Sequence, residues 1–203
     1  MKKYSFNKYT DIERWASYWH QIDEILKLNP ENILEIGIGD GVVADYIKKN
    51  TDIEYTTLDN NPSLNPDIEG NIKSFSLTRK YDLVCAFEVL EHLPFEKFNE
   101  CLSKLRRASK KYVIISLPRW GRYFSLEIRL PYFKKFRKNY KFNLFPIEHK
   151  FDGEHYWEIG KKGYPLKRIK KEIENSGFEI KNDYIVFESP YHHFFSLEKM
   201  VTN

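Results

Sequence analysis

The sequence Glu35-Ile-Gly-Ile-Gly-Asp-Gly41 joins a short apolar run to a helical pattern that begins at Val42. Glycines at such a turn let the main chain bend tightly and approach a ligand where any Cβ would collide. A dinucleotide-binding loop has the spacing G-x-G-x-x-G, which would need a glycine at position 42, whereas the third glycine here is Gly41. The spacing therefore disfavours NAD and favours another nucleotide-like cofactor.

Apolar runs and helical patterns alternate along the chain around this loop. Strands are predicted at 33–36, 53–58, 83–87 and 112–117, with a further short strand at 72–77. Helices are predicted at 11–28, 42–49, 95–109 and 165–176, and a terminal antiparallel hairpin at 178–188 and 193–199. This alternation predicts an α/β fold with a Rossmann-like, doubly wound, mostly parallel sheet.

The bulk properties predict one folded domain over residues 1–203. Of the chain, 41% is hydrophobic and 16% aromatic, which is too apolar for a disordered protein. Cys85 and Cys101 have no paired spacing, so neither a disulfide framework nor a zinc site is indicated. No apolar signal region follows the N-terminus, and we expect a cytoplasmic protein.

The segment from Arg119 to Lys141 is rich in cations and rings, with Glu127 as its one acid. We expect it to belong to an inserted lid at about 119–164. It could grip an anionic small molecule, contact a membrane surface, bind nucleic acid, or only shield the site from water. Pro131 interrupts any long amphipathic helix, and the net charge of +4 is modest, so the small-molecule lid is favoured over membrane contact and nucleic acid.

Three motifs occur in order: E-x-G-x-G-x-G at 35–41, an acid at Asp59, and Tyr81-Asp-Leu-Val-Cys-Ala-Phe-Glu-Val-Leu-Glu-His-Leu-Pro94. Asp59 ends the second strand, from which a carboxylate can accept hydrogen bonds from ribose hydroxyls. Together the motifs resemble class I S-adenosylmethionine-dependent methyltransferases, most closely the small-molecule branch that carries a VLEHL segment. The resemblance covers about residues 30–118 and implies S-adenosylmethionine as cofactor.

The resemblance also implies a set of cofactor-binding residues: Glu35, Gly37, Gly39, Gly41, Asp59, Asn60, Asn71 and Glu88. The glycines would let the backbone lie against the methionine part, and Glu35 would order the loop and meet the amino group. Asp59 would hold the ribose, and Glu88 would contact the amino group through its main chain. Asn60 and Asn71 would lie near the adenine, although many relatives have an acid at the place of Asn71, and ordinary turn chemistry explains both asparagines equally well.

The acceptor side is predicted in the segment Ile147-Glu-His-Lys-Phe-Asp-Gly-Glu-His-Tyr-Trp-Glu158, which is unusually polar and aromatic for a connection. An alcohol acceptor benefits from a general base, and His155 is the first candidate, followed by His149 and Tyr156. Packing of an ordinary loop is the alternative. His92 is interpreted as a brace for its turn, and His192 as structural.

No matched set of carboxylates is apparent in the sequence, so no metal site is predicted. The predicted function is methylation of a small, anionic or sugar-like metabolite, with oxygen as the favoured acceptor atom. Two alternatives stay open: a lipid-like acceptor at a membrane surface, and a methyltransferase-like protein that binds the cofactor without turnover.

Overall fold

The computed structural model describes residues 4–73, 75 and 79–200. Its helices are α1 (Phe6–Tyr9), α2 (Ile12–Lys27), α3 (Val42–Asn50), α4 (Phe98–Ala108) and α5 (Leu166–Asn175). Its strands are β1 (Asn32–Ile36), β2 (Glu54–Asp59), β3 (Ile68–Glu69), β4 (Tyr81–Phe87), β5 (Ser109–Pro118), β6 (Arg122–Ile128), β7 (Phe136–Phe142), β8 (Phe178–Ile185) and β9 (His192–Lys199).

The main sheet has seven strands in the order β3-β2-β1-β4-β5-β9-β8. Strands β1 to β5 run parallel, whereas β9 lies antiparallel between β5 and β8. The predicted Rossmann-like sheet and its terminal antiparallel hairpin are confirmed. A strand was also predicted at 72–77, but residues 74, 76 and 77 lie outside the described residues. The strand that pairs with the outer side of β2 is β3.

Helices cover both faces of this sheet. Side chains that alternate along β1 point to opposite faces, so Ile33 packs with α2 and α3 while Leu34 packs with α4 and α5. Burial on both faces explains why the central strands are almost continuously apolar. The polar loops are therefore confined to the two ends of the sheet, and the carboxyl ends of the parallel strands share one edge.

The inserted segment contains a hairpin that the sequence analysis did not predict. Strands β6 and β7 pair antiparallel from Arg122↔Phe142 to Ile128↔Phe136 and form a separate two-stranded sheet. Alternate residues of β7 attach it to the β8–β9 connection: Asn139 Nδ2 donates to the Val186 and Phe187 carbonyls at 3.2 and 3.0 Å, and Lys141 Nζ donates to the Pro190 carbonyl at 2.6 Å. One face of the hairpin is thus docked and the rest is exposed.

No helix within the described residues has both the length and the apolar character needed to cross a bilayer.

Candidate active site

A cavity of about 980 Å³ lies at the carboxyl ends of β1, β2 and β4. Its wall combines the loops that follow these strands with α1, the first turns of α2, and four residues of the insertion. Seven of the eight predicted cofactor-binding residues line it: Glu35, Gly37, Gly39, Asp59, Asn60, Asn71 and Glu88. The eighth, Gly41, instead caps the N-terminus of α3 with a φ of 80°.

The glycine loop after β1 adopts backbone conformations that L side chains rarely take. Gly37 has a φ of 84°, and a Cβ there would lie 2.5 Å from Val89 Cγ2 of the loop after β4. Gly39 has a φ of 58°, but a Cβ there would meet no atom of the described residues within 4 Å. Gly37 therefore allows close packing of two loops, whereas Gly39 leaves open space on the cavity side, which fits a loop that cradles a ligand.

Asp59 at the end of β2 ties this loop to the next one. One carboxylate oxygen accepts from the Ile38 N–H at 3.1 Å, and the other accepts from the Asn61 N–H at 2.8 Å. A carboxylate has about four acceptor positions, so both oxygens can still accept from hydroxyls in the cavity. The Asn71 side-chain oxygen accepts from the Lys73 N–H at 2.9 Å. This hydrogen bond is typical of an asparagine that stabilises a turn, the alternative to a role in binding adenine.

Glu35 is a buried acid in the cavity wall. Burial raises the pKa of its carboxyl to about 8, and among the described residues its Oε2 has no hydrogen-bond partner. An unpaired buried carboxyl is costly unless a cation or donor meets it. Together with the space at Gly39, Glu35 fits a cofactor whose methionine part carries an ammonium group.

Glu88, which directly follows β4, has a left-handed backbone with a φ of 52°, an uncommon conformation for a residue with a side chain. Its N–H is held by Ser116 of β5, at 3.2 Å from the carbonyl and 3.1 Å from Oγ. Its Oε2 lies 3.8 Å from His192 Nε2. The loop after β4 is therefore held so that the Glu88 side chain meets the first residue of β9.

His192, which is interpreted from the sequence as structural, lies in the cavity wall. Because β9 is antiparallel to β5, its first residue lies at the carboxyl edge of the parallel strands, opposite Pro118. The ring is almost fully buried, and its Nδ1 lies 2.7 Å from Ser17 Oγ of α2. No motif marks this residue, so only the strand order reveals it.

The N-terminal helices also supply wall residues that the sequence analysis missed. The Arg14 guanidinium lies over the Tyr9 ring at 4.2 Å from its centroid, and Arg14 Nη1 donates to Tyr9 Oη at 3.2 Å. Tyr18 Oη donates to Asp40 Oδ2 at 2.6 Å, which ties α2 to the glycine loop. The aromatic and basic residues along 4–18 were the available signal, but they resemble an ordinary amphipathic helix.

The three predicted catalytic residues are placed differently from one another. Tyr156 lines the cavity, and its N–H donates to the Glu91 carbonyl at 2.9 Å. His155 and His149 do not line it: His149 Nε2 donates to the His155 carbonyl at 2.8 Å, and His155 Nδ1 lies 3.3 Å from Glu158 Oε1. These two histidines instead hold the loop of residues 149–158 together.

Hydrogen bonds and opposite charges tie His155 to Glu158 in this loop. Burial is the largest single influence on His155 and lowers its pKa, but the hydrogen bond to Glu158 and the nearby carboxylate charges together outweigh it, so the pKa of the imidazole is raised. Burial likewise works against ionisation of Glu158, yet hydrogen bonds from His155 and Tyr191 lower its pKa. Tyr191 Oη donates to Glu158 Oε1 at 2.6 Å. The loop is therefore anchored to the β8–β9 connection.

The predicted lid reaches the cavity with only part of its length. Within the described chain, no residue of the basic hairpin 122–142 lines the cavity, whereas Phe151, Gly153, Glu154 and Tyr156 do. The hairpin turns away because β7 docks on the β8–β9 connection. The cations of the hairpin, which were predicted to grip an anionic small molecule, therefore do not line the cavity. Arg14 of α2 does line it.

Several solved structures with the same fold are named as methyltransferases. A S-adenosylmethionine-dependent methyltransferase from Clostridium acetobutylicum superposes with a TM-score of 0.61 at 10% identity, covering 95% of this chain and 93% of that one. The 1,6-didemethyltoxoflavin-N1-methyltransferase of Burkholderia thailandensis gives 0.63 at 11% identity, covering 94% and 82%. The glycopeptide N-methyltransferase MtfA gives 0.60 at 12% identity, covering 94% and 91%.

Among curated proteins, none matches the chain in sequence. A family profile described as a methyltransferase domain does match it, over residues 7–182, which span the glycine loop, Asp59, Glu88 and most of the sheet. The chain therefore belongs to the methyltransferase-domain family, as a class I enzyme that uses S-adenosylmethionine.

Proposed function

We propose that this enzyme methylates an oxygen of a small, anionic or sugar-like acceptor that binds beneath α1 and α2. The observation that carries the proposal is His192, a buried imidazole in the cavity wall between Ser17 and Glu88. A hydroxyl acceptor has to lose a proton as it is methylated, and histidine is suited to accept one near neutral pH.

When bound, the cofactor supplies an already activated methyl group, so the protein has to orient the acceptor and receive its proton. With Nδ1 directed at Ser17 Oγ, the other ring nitrogen of His192 faces Glu88 and the cavity. We assign Nε2 as the proton acceptor and Ser17 as the residue that orients the ring. This assignment replaces His155, which does not line the cavity.

Arg14 supports an anionic acceptor. Arg14 lines the cavity, and its guanidinium packs on the Tyr9 ring and donates to Tyr9 Oη. A guanidinium matches the planar geometry of carboxylate and phosphate oxygens. We therefore place the anionic group of the acceptor beside Arg14 and its reactive hydroxyl beside His192.

The acceptor atom is tested with matched pairs of compounds, because two of the similar structures are named N-methyltransferases. Each pair presents the same anionic or sugar scaffold with a hydroxyl or an amine, and formation of S-adenosylhomocysteine is measured. Mass spectrometry and NMR then locate the methyl group. Turnover of the hydroxyl members supports the proposal; turnover of the amines alone contradicts it, and cofactor binding without any turnover would favour a non-catalytic protein.

A lipid-like acceptor is the second candidate, because the turn of the inserted hairpin exposes Leu130, Tyr132 and Phe133 beside Arg129 and Lys134. Rings and cations together suit the interface of an anionic membrane. The same acceptor panel therefore includes hydroxyl-bearing headgroups presented in anionic and in neutral vesicles. Turnover restricted to anionic vesicles would favour this candidate over the small acceptor.

Glu35 should make cofactor binding depend on pH. Because burial raises the pKa of its carboxyl to about 8, the group is mostly protonated at pH 7 in the cofactor-free protein. A cationic amino group beside it would favour the carboxylate, so we expect binding at pH 7 to release about one proton. Calorimetry in buffers of different ionisation enthalpy measures this release, and Glu35→Gln should abolish it.

The raised pKa of Glu35 also determines how protein stability depends on pH. The pKa in the folded protein lies above the ordinary value of 4.5, so the contribution of Glu35 is fully present below pH 4.5 and is lost as pH rises through about 8. The Glu35→Gln variant should lose that part of the pH dependence. Equal proton release by both proteins would show that another group titrates on binding.

A further inference from the structure

We propose that Glu91, His92 and His155 bind a divalent transition-metal ion at the acceptor end of the cavity. The three residues come from two segments, the VLEHL turn after β4 and the loop of residues 149–158. Each offers one ligand atom, and these atoms lie within 4.8 Å of one another. Binding of the ion stands on this geometry alone, whereas its role in the reaction rests on the proposed function.

Glu91 is the observation that points to a cation. Its side chain is fully buried, and within the described part of the chain neither carboxylate oxygen has a hydrogen-bond partner. Its main-chain carbonyl is occupied by the Tyr156 N–H, so the neighbouring loop contacts its backbone and leaves the carboxylate bare. Buried acids are otherwise paired, hydrogen-bonded or coordinated to metal ions.

In its neutral form, each histidine has one ring nitrogen that an outer hydrogen bond leaves free for a metal ion. His92 Nδ1 lies 3.0 Å from the Glu154 carbonyl, which can only accept, so Nδ1 carries the proton and Nε2 keeps its lone pair. His155 Nδ1 lies 3.3 Å from Glu158 Oε1, so in the neutral ring the proton is again on Nδ1 and Nε2 keeps its lone pair. Metal-binding histidines almost always make such an outer hydrogen bond to a carbonyl or carboxylate.

The donor set selects the class of ion. Two imidazoles and one carboxylate suit Zn²⁺ and its neighbours Co²⁺, Fe²⁺ and Mn²⁺ better than Mg²⁺ or Ca²⁺, which prefer oxygen ligands. Three protein ligands are the number found in catalytic sites, where further positions stay open for water or substrate. His92 lines the same cavity as Glu88 and His192, so the ion would be available to an oxygen of an acceptor bound there.

The test is a Co²⁺ titration of the full chain after treatment with a chelator, followed by visible absorption without cofactor or acceptor. We expect ligand-field bands that saturate at about one Co²⁺ per chain and disappear when Zn²⁺ competes. Glu91→Gln and His155→Ala should each weaken Co²⁺ binding by about 100-fold or more, since loss of an outer-shell partner alone costs about 10–100-fold.

Asp152→Asn is the matched control, because Asp152, His155 and Glu158 form an overlapping group of possible ligands. Asp152 Oδ1 already accepts from the Glu154 and His155 N–H groups at 2.9 and 2.8 Å, so its replacement should leave the Co²⁺ affinity within a few-fold. If Asp152→Asn strongly weakened Co²⁺ binding while Glu91→Gln left it unchanged, the ion would bind at Asp152, His155 and Glu158, and the proposed ligand set would be overturned.

Absence of Co²⁺ bands in the wild-type protein, or equal binding by Glu91→Gln, would also overturn the proposal. Circular dichroism and thermal unfolding show that each variant is folded, and His92→Ala replaces any variant that is not. If the protein bound Co²⁺ but methylated no hydroxyl acceptor, the proposed function would be refuted and the metal site would stand, because the titration needs no turnover.

Discussion

Replacing His192 with Gln is expected to lower kcat for a hydroxyl acceptor by about 10²- to 10³-fold, the contribution of a well-placed general base. Glutamine fills similar space and can keep a hydrogen bond to Ser17, but an amide cannot accept a proton near neutral pH. Formation of S-adenosylhomocysteine at saturating acceptor measures the loss, and the cofactor Kd from calorimetry should stay within a few-fold of wild type.

Two further variants separate a base from a structural residue. Ser17→Ala removes the partner of Nδ1 and should lower kcat only several-fold, because the imidazole remains in the wall. His20→Gln is the control: this histidine contacts Tyr184 and Glu188 outside the cavity and should leave turnover near wild type. Full activity of His192→Gln would exclude the residue as the proton acceptor.

Replacing Asp59 with Ala is expected to weaken cofactor binding by about 100-fold or more. Hydrogen bonds to a charged acceptor contribute about 1.5–3 kcal/mol each, and the carboxylate can accept from two ribose hydroxyls. The change also removes the acceptor of the Ile38 N–H, so the glycine loop loses one of its ties. Calorimetric titration with S-adenosylhomocysteine measures the change in Kd.

Asp67→Ala is a suitable control on the same side of the sheet. Asp67 Oδ2 accepts from the Thr57 N–H and Oγ1 at 2.8 Å and pairs with Lys48 at 2.9 Å, and it does not line the cavity. Its loss should lower the melting temperature but leave the cofactor Kd unchanged. Equal affinity of Asp59→Ala and wild type would refute the ribose assignment.

The fold, and the placement of the predicted cofactor residues around one cavity, followed from local signals in the sequence. The apolar run before the glycines, the helix after them and the acid after β2 are each set by neighbours in sequence, and parallel strands bring their carboxyl ends to one edge. Seven of the eight predicted cofactor residues consequently line the cavity. The eighth, Gly41, lies beside it at the start of α3.

The acceptor side was decided by contacts between distant segments. His192 reaches the wall because β9 inserts antiparallel beside β5, and the basic hairpin leaves the wall because β7 docks on the β8–β9 connection. His92 and His155 come within 5.1 Å, centroid to centroid, only when the loop of residues 149–158 folds over the VLEHL turn. Local periodicity carries no information on which loops meet, so the cofactor loops followed from the sequence, while the partners of Glu91 and His192 depended on the packing of the whole sheet.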